Sequence, residues 1–327
     1  MTPRKQERGA ALLTVLLLVA VMAVLSASAL EKLRLSTKVA ANSVAIDQAR
    51  AYAMAAEAIA MTRIGDLVEA DPVKTTLAGD WNGRTTQLPV PGGLASMTVL
   101  DGGNCFNLNS VVSGDPAKGY QRRPGGVTQF EALMIAIGIP SDNAAQIAGA
   151  LADWIDTDTV PGPMGAEDDV YQNRDTPYRT ANNLVADPSE LRAVAGVTPE
   201  IYERLRPWVC ALPDSDLSPI NVNTLAPEQA PLFLMLIPDQ ITLERARQIL
   251  SERPAEGFSS TNAFWNLLTL DSQGTPGETQ SQVKLRTRWF TLDVTVELGG
   301  ADMHERALID AQRNPVTLAS RQWGEIE

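Results

Sequence analysis

Three scarcities bound what this 327-residue chain can do. A single histidine, His304, removes most imidazole chemistry, from acid–base pairs to His-rich metal sites. Two cysteines, Cys105 and Cys210, are too few for a thiolate zinc site and stand far apart in sequence. Positive charge is short as well. The 27 Lys and Arg against 39 Asp and Glu leave −12, which argues against nucleic acid or anionic lipid as partners of the soluble part. There is no Gly-x-Ser-x-Gly, no phosphate-cradling glycine loop, and no histidine beside a nucleophile. Nothing here reads as an enzyme.

Two local absences are more telling. From Ala10 to Leu30 there is no charge over twenty-one residues, a mostly apolar run long enough to span a bilayer as a helix. From Ala10 to Ile64 there is no glycine or proline, so nothing breaks that helix where the apolar run ends. Fifty-five unbroken residues would make a rod of roughly 80 Å, with Gly65 and Pro72 closing the helical zone. A secretory signal peptide has a shorter apolar region followed by a small-residue cleavage site. Here the small residue at the charge-to-apolar boundary is Gly9, preceded by Arg4, Lys5 and Arg8. The pattern is a membrane anchor that continues as one rod into an aqueous domain.

This start resembles the class III leader of type IV pilins and type II secretion pseudopilins. The resemblance implies cleavage by a prepilin peptidase between Gly9 and Ala10 and N-methylation of the new first residue. Most members carry Glu at the fifth mature position, and this chain has Thr14. The family's Glu neutralises a neighbouring subunit's terminal amine inside the apolar filament, where an unpaired charge is costly. A subunit with Thr14 fits a filament end better than its middle. Its absence, with the large size, points within the family to the K-type minor pseudopilin (GspK). The resemblance then implies an inner-membrane, single-pass subunit with its folded part in the periplasm, tip partners of the I and J types, contact with membrane lipid, and calcium as cofactor. An oxidising periplasm would allow Cys105 and Cys210 to pair; two buried free thiols are the alternative.

Along the chain, residues 1–9 read as leader, 10–30 as the transmembrane half of the helix, and 31–104 as the first part of a pilin-like core. Small residues (Ala40, Ala41, Ala45, Ala49, Ala53, Ala56) recur along the second half of the helix and suit close packing on a sheet. Strand character follows at Thr85–Val90 and Ala95–Leu100, joined through Pro91, Gly92 and Gly93. Residues 105–280 read as helical, in two parts at about 105–212 and 213–280. Helices are expected over Thr128–Ile139, Ser141–Asp156, Pro188–Ala195, Pro199–Val209, Leu225–Leu236, Leu243–Arg253 and Thr261–Leu270, several with an N-cap followed by Pro. Asn221 to Thr224 is similar to the opening of helix-hairpin-helix modules, which often bind DNA. Residues 105–271, however, hold 11 Lys and Arg against 22 Asp and Glu, so phosphate binding is rejected. Strands return at Arg288–Leu298, where Phe290, Leu292, Val294, Val296 and Leu298 share a face, then at Met303–Ala311 and Val316–Trp323. The fold class is therefore α+β: a long N-terminal helix on a small antiparallel sheet, closed by residues 281–327, with a large all-helical domain inserted.

One constellation carries chemistry. Asp153, Asp156, Asp158, Glu167, Asp168 and Asp169 place six carboxylates within 17 residues around a Pro/Gly-rich loop. Asp156, Asp158 and Glu167 match positions 1, 3 and 12 of an EF-hand loop, but Val160 and Pro161 stand where a ligand and the glycine are required, so it is not one. From the residues alone a solvated acidic loop is the plainer reading. The resemblance implies a calcium site there, through Asp156, Asp158, Glu167 and Asp168 with Asp153. Asp169, Asp187 and Glu190 rank lower, the last two being explained by helix capping. The reading that results is a minor pseudopilin at the tip of a type II secretion pseudopilus. A minor pilin of a type IV pilus and a membrane-anchored calcium-binding module are the alternatives.

Overall fold

The computed structural model describes residues 5–268 and 277–324. Residues 1–4 of the leader, and the end of the helix expected to reach Leu270, lie outside them.

Helix α1, Lys5–Ala70, runs 66 residues. Gly65 does not end it, contrary to the sequence expectation, because one glycine costs a helix only about 1 kcal/mol. The stop comes at Asp71–Pro72, where the proline ring cannot continue the turn. Ala10 to Val44 are exposed along their length, and mean hydropathy over the most apolar 18-residue window is 2.7. From Ala49 one face turns inward: Ala49, Ala53, Ala56, Ala60, Ile64 and Val68, spaced by three or four residues, are buried. Alanines there let the helix axis approach the sheet closely.

Strands β1 (Thr85–Val90) and β2 (Gly93–Asp101) form a hairpin whose turn needs Gly92 at φ +83°. Next come β3 (Phe106–Asn107), the β4–β5 hairpin (Val112–Asp115, Gly119–Arg122), α2 (Pro124–Ala136), α3 (Ser141–Ile155), the short α4 (Asp168–Gln172), α5 (Pro199–Leu205) and β6 (Val209–Cys210). A second run holds β7 (Ile220–Asn221), α6 (Ala230–Leu234), α7 (Leu243–Ser251), α8 (Thr261–Trp265), α9 (Gly277–Gln282) and β8 (Val283–Lys284). The chain closes with β9 (Trp289–Leu298), β10 (Ala301–Asp310) and β11 (Thr317–Trp323). The main sheet is antiparallel in the order β1-β2-β9-β10-β11. Strands β2 and β9 are neighbours, so residues 102–288 are interposed between two adjacent strands. The interposed block is mainly helical and also carries three two-stranded ladders, β3–β6, β4–β5 and β7–β8. Three stretches expected as continuous helix are 3-10 turns in whole or part, at Pro188–Ala193, Arg206–Trp208 and Pro227–Gln229.

Two buried apolar clusters result. One joins α1 to the inner face of the sheet, where Phe290, Leu292, Val294, Val296 and Leu298 meet Ala95, Met97, Ala307 and Ile309. The other, from Phe106 to Val283, fills the interposed block. Between them the Asn221–Thr224 segment acts as a joint. Asn221 donates to the Thr75 carbonyl and to Thr287 Oγ1, Asn104 Oδ1 accepts from the Asn221 N–H, and Thr224 Oγ1 donates to Asp101 at 2.6 Å. The residues that resembled a DNA-binding motif are spent on holding the two units together.

A buried charge cluster ties α1 to the sheet edge. Arg321 of β11 reaches Glu57 through two hydrogen bonds of 2.8 and 2.7 Å and lies 3.3 Å from Glu305, which is fully buried in β10. One guanidinium therefore serves two carboxylates. Burial first, and the neighbouring Glu57 second, push Glu305 up to about 7. Glu57 stays below the usual range because Arg321 bonds it, although its burial opposes this. A carboxyl raised on folding holds its proton in the native state after the unfolded chain has lost it, so stability falls as pH rises from about 4.5 to about 7. Glu305→Gln is expected to flatten that fall and to stabilise the protein at pH 8; chemical denaturation of both forms across pH 5 to 8 measures it. A pH slope left unchanged by Glu305→Gln would rule out Glu305 as its source.

Candidate metal centre

The carboxylates gather where α3 ends. Its last turn carries Asp153, Asp156 is its C-cap, and the loop to Ala166 returns the chain so that Glu167 becomes the N-cap of α4. One donor oxygen each from Asp156, Asp158 and Glu167 lies within 4.8 Å of the others. That span is about twice a calcium–oxygen bond. Asp156 and Glu167 are 3% exposed, and Asp158 opens to solvent.

Three oxygens of these two buried acids lack hydrogen-bond partners. Asp156 Oδ1 and both carboxylate oxygens of Glu167 accept no hydrogen bond. Burial, followed by the charges of Asp158 and Asp153, pushes Asp156 up to about 7. Burial, followed by Asp153, Asp156 and Asp158, does the same to Glu167. Native proteins rarely leave buried carboxylate oxygens bare, and the negative end of α3 adds to the unfavourable potential. Hard, anionic oxygen donors in a loop fit a divalent cation of the calcium type.

Asp153 builds the loop from behind. It is fully buried, accepts from the Gly162 N–H at 3.0 Å and lies 3.5 Å from Arg122 Nη1, while Arg122 Nη2 donates to the Pro163 carbonyl. Burial nevertheless raises its carboxyl. A Cβ on Gly165 would fall 1.8 Å from Asp153 Oδ2, and one on Gly149 would fall 2.7 Å from the Met164 backbone. Both glycines are there for close approach.

The other expected ligands are employed elsewhere. Asp168 Oδ1 accepts from the N–H and Oγ1 of Thr180, each at 3.0 Å, and the backbone bond, the largest cause, keeps its carboxyl below the usual range. Asp169 bonds the Val170 N–H and faces solvent. Asp187 and Glu190 form a capping box at the Pro188–Ala193 turn. Arg122 was not foreseen. Gly149, in mid-helix, was the legible sign that something packs tightly on α3.

Cys105 and Cys210 are joined as a disulfide, with Cα atoms 5.8 Å apart, beside the parallel β3–β6 ladder. Thr14 is exposed on α1, and its Oγ1 donates to the Ala11 carbonyl at 2.9 Å.

A long helix laid on a small antiparallel sheet, with a large block inserted between two neighbouring strands, is a pilin-like architecture. Two family models described as type II secretion system (T2SS), protein K, match residues 104–214 and 220–285. The type II secretion system protein K of Pectobacterium carotovorum subsp. carotovorum is 34% identical over 98% of both chains. That of Klebsiella pneumoniae is 34% identical over 98% of this chain and 97% of its own. Among solved structures, a chain of the GspK-GspI-GspJ complex from enterotoxigenic Escherichia coli superposes with a TM-score of 0.74 at 28% identity, covering 86% of this chain and 97% of that one. The chain belongs to the type II secretion system protein K family, a family of minor pseudopilins that serve as structural subunits.

Proposed function

We propose that this minor pseudopilin caps and initiates the periplasmic pseudopilus and works by assembly, without catalysis. The observation that carries the tip position is the bulk of residues 102–288, interposed between adjacent strands of a sheet that α1 displays. Such a block would obstruct a subunit stacked above it but not those below. Thr14 agrees, because its hydroxyl is spent on its own helix and offers no carboxylate to a neighbour's amine. The partners are then I-type and J-type minor pseudopilins, such as those in the related complex. The anchor lies in the inner membrane, with the folded body in the periplasm. Prepilin peptidase cuts between Gly9 and Ala10 and methylates Ala10. Asp156, Asp158 and Glu167 hold calcium, with Asp153 and Arg122 shaping the loop. Calcium supplies the positive charge that lets those acids stay buried.

Gly9→Leu tests the assembly reading. The variant is expected to keep its leader, to remain in the membrane unassembled, and to abolish export in a secretion assay. N-terminal sequencing that finds Met1 in the native protein, or normal export by the variant, would contradict it.

A further inference from the structure

Immediately beyond its apolar span, α1 carries Lys32, Arg34 and Lys38 with one acid, Glu31, so residues 31–38 balance at +2. Residues 39–327 balance at −16. Positive charge is thus concentrated where the helix leaves the bilayer, next to a folded body that is acidic. All three basic side chains are exposed, and among the described residues none of them makes an ion pair.

Three geometric facts bear on what they meet. At about 1.5 Å per residue, Lys32 and Arg34 stand roughly 3 and 6 Å past Leu30, within a headgroup layer about 5–8 Å deep, and Lys38 stands roughly 12 Å past it, about one side-chain length outside that layer. Helical Cα–Cβ bonds tilt toward the N-terminus, which here is the membrane side, so these long stems reach back to the headgroups. At about 100° per residue, Lys32 lies on the opposite side of the helix from Arg34 and Lys38. Charge on both sides suits lipid around the helix better than a single protein face.

We infer that Lys32, Arg34 and Lys38 form a collar that binds anionic phospholipid headgroups in the leaflet next to the folded body. The acidic body is repelled by the same surface, so the two together hold the rod upright. The inference rests on α1 being a membrane anchor.

The full chain in phosphatidylcholine nanodiscs, with trace spin-labelled phosphatidylglycerol or phosphatidylcholine, provides the test by electron paramagnetic resonance. A basic residue near such a surface is worth on the order of fivefold in association. Phosphatidylglycerol should therefore be preferred at least fivefold, and Lys32→Gln/Arg34→Gln/Lys38→Gln should bring the ratio to about one. About 0.5 M salt should weaken the preference, and inorganic phosphate should do no more than sodium chloride of equal ionic strength. A native ratio near one, or a ratio indifferent to the triple substitution, overturns the collar. If the variant keeps its lipid preference but no longer co-purifies with partner pseudopilins, the cluster is a protein-contact surface and the collar is refuted. Failure of the native chain to enter nanodiscs refutes the membrane anchor itself.

Discussion

Replacing both cysteines (Cys105→Ser with Cys210→Ser) lowers the melting temperature of the folded body by about 10 °C. The bond closes a loop of 105 residues, and removing it returns that closure entropy to the unfolded chain. In the chain-entropy model this costs roughly 4–5 kcal/mol. At about 2 °C per kcal/mol for a body of this size, the shift is the one stated. Cys105 leads into β3 and Cys210 ends β6, so the loosened part is the first half of the interposed block, Phe106 to Val209. Calorimetry of the native and double-serine proteins checks it. A shift below about 1 °C would show that the β3–β6 ladder, the bonds from Asn107 Nδ2 to the Asp214 and Asp216 carbonyls and those from Asn109 Nδ2 to the Val185 and Leu212 carbonyls already fix these segments.

Chelation is the second large effect. A ligand at a hundredfold excess over its Kd stabilises the folded state by about 2.7 kcal/mol, so removing calcium should lower melting by about 5 °C. Calcium should restore it better than magnesium, which dehydrates reluctantly and requires stricter geometry. The bare oxygens of Asp156 and Glu167 sharpen the expectation. Asp156→Asn with Glu167→Gln should abolish the calcium response and also make the chelated protein more stable than the chelated native chain, because two buried, mutually repelling carboxyls are gone. If chelation leaves the melt unchanged and elemental analysis finds no metal, the loop is not a calcium site.

What could be read from the sequence follows physical locality. The rod was legible because an uncharged run and an absence of Gly and Pro are local facts. Strand β1 was legible to its ends, Thr85 and Val90, and so was the buried face of β9, because period-two alternation needs no knowledge of partners. Helix α2 was not. It begins at Pro124 rather than Thr128, through Gly125 and Gly126, residues that weaken a helix. A Cβ at Gly126 would lie 2.0 Å from the Ser110 carbonyl, so that glycine answers a tertiary contact no local pattern displays. The acidic site divides the same way. Carboxylate density marked the loop and the EF-hand spacing picked out the three acids that meet. The diversion of Asp168 to Thr180, twelve residues on, and the pairing of Asp153 with Arg122 depend on how the loop folds back.

The most direct test mixes the chain, freed of its apolar span, with the corresponding parts of I-type and J-type pseudopilins and weighs the product by size-exclusion chromatography with light scattering. A tip subunit gives a discrete complex with one copy of each and no further growth when more of this chain is added. A chain that elutes alone, or that polymerises with itself, would contradict the account.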